Sequence, residues 1–322
     1  MPVTVEIPTE KWSGSVREVT LGATADQGGT RTKTVTVGGE TTLPFLHFEG
    51  QIPNLPVVGI EIQDYEPLDW SPLLLEVWGD VVKDPAAWAK EAEAKGADLI
   101  MLRLRGSDNE GNETTAEQAA ETVKKVLGAT GLPLVVRGPG QAEQDNELLV
   151  AVAEAARGER IALGLCEEKN YATIVAAAQA HNQLVISSTP MDVNLSKQLV
   201  ILIKDLGLPL DRILMDPTTG ALGYGIEYGY SVMERLRLAA FQGDGMTQQP
   251  MICFVGEECW RQKESKVGEG VPEEWGDWQK RAITWETVTA TSLIQSGADI
   301  VTLRHPESVK NVNTTIQKLM SQ

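Results

Sequence analysis

Arginine closes three of the chain's short apolar runs: Ile100-Met-Leu-Arg103, followed by Leu104 and Arg105, then Leu134-Val-Val-Arg137, and Ile300-Val-Thr-Leu-Arg304. A fourth run ends in Asp216, and a fifth carries Glu61 in its interior. A guanidinium stays charged at every working pH and presents a planar fork of N–H donors, which matches the oxygens of phosphates, carboxylates and amides. Two chemistries are open. Buried charges need partners, so the groups could form a ring of structural ion pairs, for example Glu61 with Arg103 on neighbouring strands. Alternatively, they form a site for a ligand rich in acceptors.

Other reactive residues are sparse. Of His47, His181 and His305, only His305 follows a strand-like run directly, and a lone histidine beside Pro306 reads as structural. Cys166, Cys253 and Cys259 include no C-x-x-C pair, so they read as buried free thiols and are too few for an iron–sulfur cluster, which usually needs about four thiolates. A nucleophile elbow, a zinc helix and a P-loop are all missing from the sequence. Gly220, Gly223 and Gly225 could cradle a phosphate, although a plain loop is the favoured reading of them. The chain has eight Trp against five Tyr and four Phe, and Trp260, Trp275, Trp278 and Trp285 cluster late, where indoles could fill the core or face a flat partner.

These residues are positioned by a repeating pattern. Eight apolar runs alternate with amphipathic helical stretches: Val57 to Ile62, Leu99 to Arg105, Leu134 to Gly138, Ile161 to Cys166, Leu184 to Ser188, Ile213 to Asp216, Met251 to Val255 and Ile300 to Arg304. Strand–helix alternation means a parallel sheet, and eight strands close one into a (β/α)8 TIM barrel. Helix signals agree. Thr115 and Gln118 make a capping box, Asp192 caps a helix that stops at Gly207, and Pro306 opens the last helix. A doubly wound open sheet would show a Gly-rich first turn, which the strand after Pro56 lacks. Before Pro53, β-branched alternation in Val16 to Leu21 and Lys33 to Val37, separated by Gly28-Gly29, predicts a small antiparallel extension. We expect a hairpin cap over residues 1–52 and a barrel over 53–322.

In such a barrel the apolar parity of each strand faces the helices. Val58, Ile60 and Ile62 point outward and leave Glu61 inside; Ile100, Leu102 and Leu104 leave Arg103 and Arg105 inside. The same parity sends Arg137, Asp216 and Arg304 inward, along with Ala162, Gly164 and Cys166 of the fourth strand. The composition makes this arginine-bearing mouth unusual. With 45 acidic and 28 basic residues the chain carries a net charge of −17, which opposes nucleic acid and anionic lipid. The longest aliphatic runs, such as Leu199 to Ile203, fall far short of the roughly 20 residues that span a bilayer. The opening residues lack a basic segment followed by an apolar one, so a cytoplasmic location is expected.

The segment Met215-Asp-Pro-Thr-Thr-Gly-Ala-Leu-Gly-Tyr-Gly-Ile-Glu-Tyr-Gly-Tyr-Ser-Val-Met-Glu-Arg resembles the small subunit of the corrinoid iron–sulfur protein of the acetyl-CoA pathway, including the archaeal decarbonylase delta subunit. Lys11-Trp-Ser-Gly-Ser-Val-Arg-Glu-Val-Thr-Leu-Gly-Ala and Thr34-Val-Thr-Val-Gly-Gly-Glu-Thr-Thr-Leu-Pro-Phe resemble that family's opening, so the likeness spans nearly the whole chain. It implies a heterodimer with a larger chain that carries the iron–sulfur cluster, with a cobalt corrinoid held between the two. The carrier would take methyl from a methyltetrahydrofolate-dependent methyltransferase and pass it to acetyl-CoA synthase, with no acid or base supplied by this chain. Asp216 and Thr218 lie within the specific segment. Arg103, Arg137, Thr189, Glu257 and Arg304 join them by strand position as residues expected to line a corrinoid-facing mouth. The competing reading is catalytic: Asp216-Pro217 also resembles the pterin-binding region of pterin-dependent methyltransferase barrels, although the following Thr-Thr-Gly-Ala-Leu-Gly fits the small subunit better.

Overall fold

The computed structural model describes residues 6–107 and 111–321; residues 1–5, read above for a leader, lie outside it. An antiparallel pair comes first, β1 (Val19–Leu21) and β2 (Val35–Val37). Eight parallel strands follow: β3 (Val57–Gln63), β4 (Leu99–Arg103), β5 (Leu134–Arg137), β6 (Ala162–Cys166), β7 (Leu184–Ser188), β8 (Ile213–Asp216), β9 (Met251–Cys253) and β10 (Ala298–Leu303). They pair in sequence order, and β10 closes on β3, giving a TIM barrel ringed by helices. The expected helix signals fall where the backbone needs them. Thr115 and Gln118 form a reciprocal capping box, Asp192 accepts from the amides of Asn194 and Leu195, and Pro306 is the first residue of the last helix.

Strand parity divides the apolar side chains into two layers. Val58, Ile60, Ile62, Ile100, Leu102 and Leu303 pack against the helices. Leu99, Met101, Val135, Leu184, Leu214 and Ile300 fill the lumen, together with Val19, Leu21, Val35 and Val37 from the β1–β2 pair. The pair therefore plugs the barrel floor. Its other face is polar, with Thr20 and Thr36 hydroxyls 2.9 Å apart across the strands. Buried Arg31, between the two strands, ties it down by pairing with Glu159 at 2.9 Å and donating to the carbonyls of Leu127, Thr130 and Leu132. With the floor closed, polar lumen residues gather at the opposite, C-terminal end.

One strand departs from the expected parity. The β6–β7 register shifts between Leu163 and Cys166, so Leu165 enters the lumen and Cys166 turns to the helix layer instead of pointing inward. Cys253 and Cys259 lie in that same layer, and all three thiols are buried, free and pushed up by burial. The late tryptophans belong to the chain's own packing. Trp260 stacks on His305 at 6.0 Å, Trp278 donates to the Ser265 carbonyl at 2.8 Å, and Trp275 lies beneath Arg281 and Lys263. No helix among the described residues is long and apolar enough to cross a membrane.

Candidate functional site

The seven residues expected at the mouth come to the C-terminal end of the barrel in three hydrogen-bonded systems, two of them built on arginine and the third on Asp216. In the first, Glu257 sits on a short helix (Val255–Arg261) that follows β9 directly and reaches across to β4 and β5. One of its carboxylate oxygens accepts from Arg103 at 2.6 Å, and the other accepts from Arg137. Arg137 lies 4.6 Å above the Phe254 ring, and burial together with the neighbouring Arg103 charge lowers its pKa to about 10. In the second system, Arg304 grips Glu61 with two N–H groups at 2.9 and 2.6 Å, and Gln63 adds a third donor at 3.1 Å. Burial works to raise the Glu61 pKa, but Arg304, helped by Arg103, holds it below the usual carboxylate range.

The Glu61 pair therefore differs from the expected one, since its partner is Arg304 across the β10–β3 seam and Arg103 goes to Glu257. Register explains the exchange. Arg103 lies beside Gln63, two residues beyond Glu61, whereas Leu303 pairs with Ile60 and so brings the next residue, Arg304, alongside Glu61. Tryptophans that the sequence reading passed over support Arg304. Trp70 stacks under its guanidinium at 4.6 Å, and Trp78 donates to its carbonyl at 2.9 Å. Next in the chain, His305 caps the final helix by accepting from the Glu307 amide, and burial lowers its pKa to about 4, so it is neutral at working pH.

Asp216 ends β8 and is 3% exposed. Its carboxylate accepts from the Ser188 hydroxyl at 2.8 Å and from the Thr218 amide at 2.9 Å. Burial, opposed by the Ser188 bond and the Arg137 charge, pushes its pKa up to about 6. Thr218 has φ of 66°, a left-handed conformation that a β-branched residue rarely adopts, and its hydroxyl bond to the Thr189 carbonyl at 2.7 Å holds it there. Thr189 in turn shares a hydrogen bond with Ser196 at 2.6 Å. Parity could have found Ser188 and Phe254, which share their strand faces with Ile186 and Ile252.

Two open recesses flank these groups. A basin of about 590 Å³ is lined by Tyr65, Arg103, Arg105, Pro139 and Gln141, and a groove of about 350 Å³ by Ser188, Thr189, Leu195, Leu199 and Thr218. The glycine segment after β8 forms neither. Gly220 packs against the Gly225 carbonyl, where a Cβ would come within 2.4 Å, and Gly225, at φ 94°, opens the following helix. That packing explains the glycines without a phosphate.

Residues 18–318 match the family model described as CO dehydrogenase/acetyl-CoA synthase delta subunit. The chain belongs to this family. Subunit delta of the acetyl-CoA decarbonylase/synthase complex of Archaeoglobus fulgidus is 37% identical over 308 residues, which cover 93% of this chain and 67% of that protein. Subunit delta 1 of Methanosarcina thermophila is 38% identical over 315 residues, covering 96% and 72% of the two chains. Among solved structures, dihydropteroate synthase of Xanthomonas albilineans with 4-aminobenzoic acid superposes at a TM-score of 0.58 with 14% identity, covering 85% of this chain and 96% of that one. A dihydropteroate synthase of Coxiella burnetii in complex with pteroic acid reaches 0.55 at 12% identity, covering 87% and 99%. At that identity the likeness establishes the barrel alone. As a member of the delta-subunit family, the chain takes its functional context from the acetyl-CoA decarbonylase/synthase complex.

Proposed function

We propose that this delta-family chain is the small, non-catalytic subunit of a corrinoid iron–sulfur methyl carrier in the cytoplasm, and that its barrel mouth forms one wall of the corrinoid site. The observation that carries the reading is the Arg103–Glu257–Arg137 bridge, which sets two guanidinium groups over one carboxylate beside an open basin in a strongly acidic protein. Arg137 Nε is buried without a partner. Donors of this kind fit the amide and phosphate oxygens of a corrinoid periphery. When bound, the corrinoid supplies a cobalt that carries the methyl group. The chain's own residues would position and shield it: Arg103 and Arg137 by donating, Glu257 by spacing them, Arg304 by fixing the β10 end. Asp216, Thr189 and Thr218 would shape the opposite rim.

The iron–sulfur cluster would lie on the larger partner, since the three thiols here sit singly in the helix layer. The carrier would receive methyl from methyltetrahydrofolate:corrinoid methyltransferase and deliver it to acetyl-CoA synthase. Asp216 argues against the alternative of a pterin-dependent methyltransferase. Both its oxygens already accept from groups of this chain, and it is almost fully covered. Replacing Arg103 and Arg137 together with Gln in the co-expressed heterodimer should lower retained cobalt by about tenfold while the two chains still co-purify. Full cobalt retention in the double variant would refute the assignment.

A further inference from the structure

The two arginine–carboxylate systems at the mouth differ in ways that a purely structural role does not require. Glu61 is wholly buried and faces one arginine that grips both its oxygens, so the two charges are matched one to one. Glu257 faces two arginines, each giving it one N–H, so the bridge carries one positive charge in excess. The side chains of Arg103 and Arg137 are 24% and 15% exposed, and Arg103 fronts the basin. The arginines rise from strands β4 and β5, whereas Glu257 comes from the seven-residue helix after β9. The cationic part of the bridge thus belongs to the strands, and the anionic part is brought across from a helix.

We propose that Arg103 and Arg137 form an oxyanion subsite, which Glu257 occupies as a resident carboxylate until a ligand's carboxylate or phosphate displaces it. The two arginines take the two oxygens of a single carboxylate, which is the arrangement a ligand oxyanion would inherit. Local neutrality favours the exchange, because an anion of two charges would balance both guanidinium groups where Glu257 balances one. The other carboxylates that act on Arg137 are engaged elsewhere: Asp216 by Ser188 and Thr218, Asp145 by the Gly140 amide and Glu61 by Arg304. This deepens the reading of the mouth as a binding surface and rests on it, but it does not require the ligand to be a corrinoid.

Calorimetric titration of the full chain near neutral pH tests the subsite, with inorganic phosphate in one arm and succinate in the other. Glu257→Gln keeps the side-chain shape and removes the competing charge, so it should bind at least one probe about tenfold more tightly than the unaltered chain. Adding Arg137→Gln to Glu257→Gln should abolish that gain. Glu258→Gln, on the same helix and paired with Arg261, should leave binding as it was. The arm with the larger gain tells phosphate from carboxylate. Unchanged or weaker binding of both probes by Glu257→Gln, or a gain that survives loss of Arg137, overturns the proposal. Cobalt is read separately in the unaltered co-expressed complex: its absence there with oxyanion binding intact would defeat the corrinoid reading and leave this one standing.

Discussion

At Asp216 burial raises the carboxyl pKa to about 6, so the folded chain holds that proton more tightly than the unfolded chain, whose value is near 3.8. The resulting stability is fully present below the unfolded value and is lost as pH rises through about 6. Asp216→Asn removes the titration, so between roughly pH 5 and pH 8 its unfolding free energy should gain about 1 kcal/mol on that of the unaltered chain. Parallel stability curves would contradict this. Arg304 poses a sharper question. Removing it leaves Glu61 buried and unpaired, so Arg304→Met should cost about 3 kcal/mol in denaturant unfolding, and adding Glu61→Gln should recover most of that loss. A single variant as stable as the parent would place the pair outside the fold's support. At this scale the sequence made the inward parity of Glu61, Arg103, Arg137, Asp216 and Arg304 legible. It did not reveal which charges pair, because pairing depends on strand register and on a helix reaching across the mouth.

The elements around the mouth are fixed by close packing. Gly256 lies against β10, where an added Cβ would come within 2.9 Å of Arg304 N and Cγ. Gly256→Ala should push the Glu257 helix outward and destabilise the chain by about 1–3 kcal/mol, as overpacking does. Residues 262–277 are held differently. Arg281 donates to the carbonyls of Glu264, Val267, Trp275 and Gly276, and Trp275 covers its guanidinium at 5.3 Å. Arg281→Ala should speed limited proteolysis within this segment several-fold without altering the sites cut elsewhere; an unchanged digestion pattern would show that the clamp is dispensable. The strands were legible because buried parallel strands read as short apolar runs between capped helices. The β6 parity was not, because a register shift leaves no mark on an all-apolar run such as Ala162-Leu-Gly-Leu-Cys. Composition left open whether the late tryptophans fill the core or face a partner, because the contacts that hold them run to backbone carbonyls and to neighbouring cations, which composition does not encode.

In the whole molecule, a plug of β1 and β2 closes one end of the barrel and leaves the other end polar and open. The delta-subunit family supplies the context, and the mouth presents arginine donors that run against the protein's overall charge. Among the described residues no group of three or more His, Cys, Asp or Glu is placed to hold a metal ion. In the proposed function the mouth is half of a site that a second chain completes. Cobalt content and visible spectrum, measured on this chain alone and after co-expression with the large corrinoid-carrying subunit, test that claim most directly. Co-expression should give a one-to-one complex with one cobalt and both corrinoid and iron–sulfur absorption, and the lone chain should show neither. A lone monomer that turns over methyltetrahydrofolate, or a co-expressed pair that separates without sharing cobalt, would contradict it.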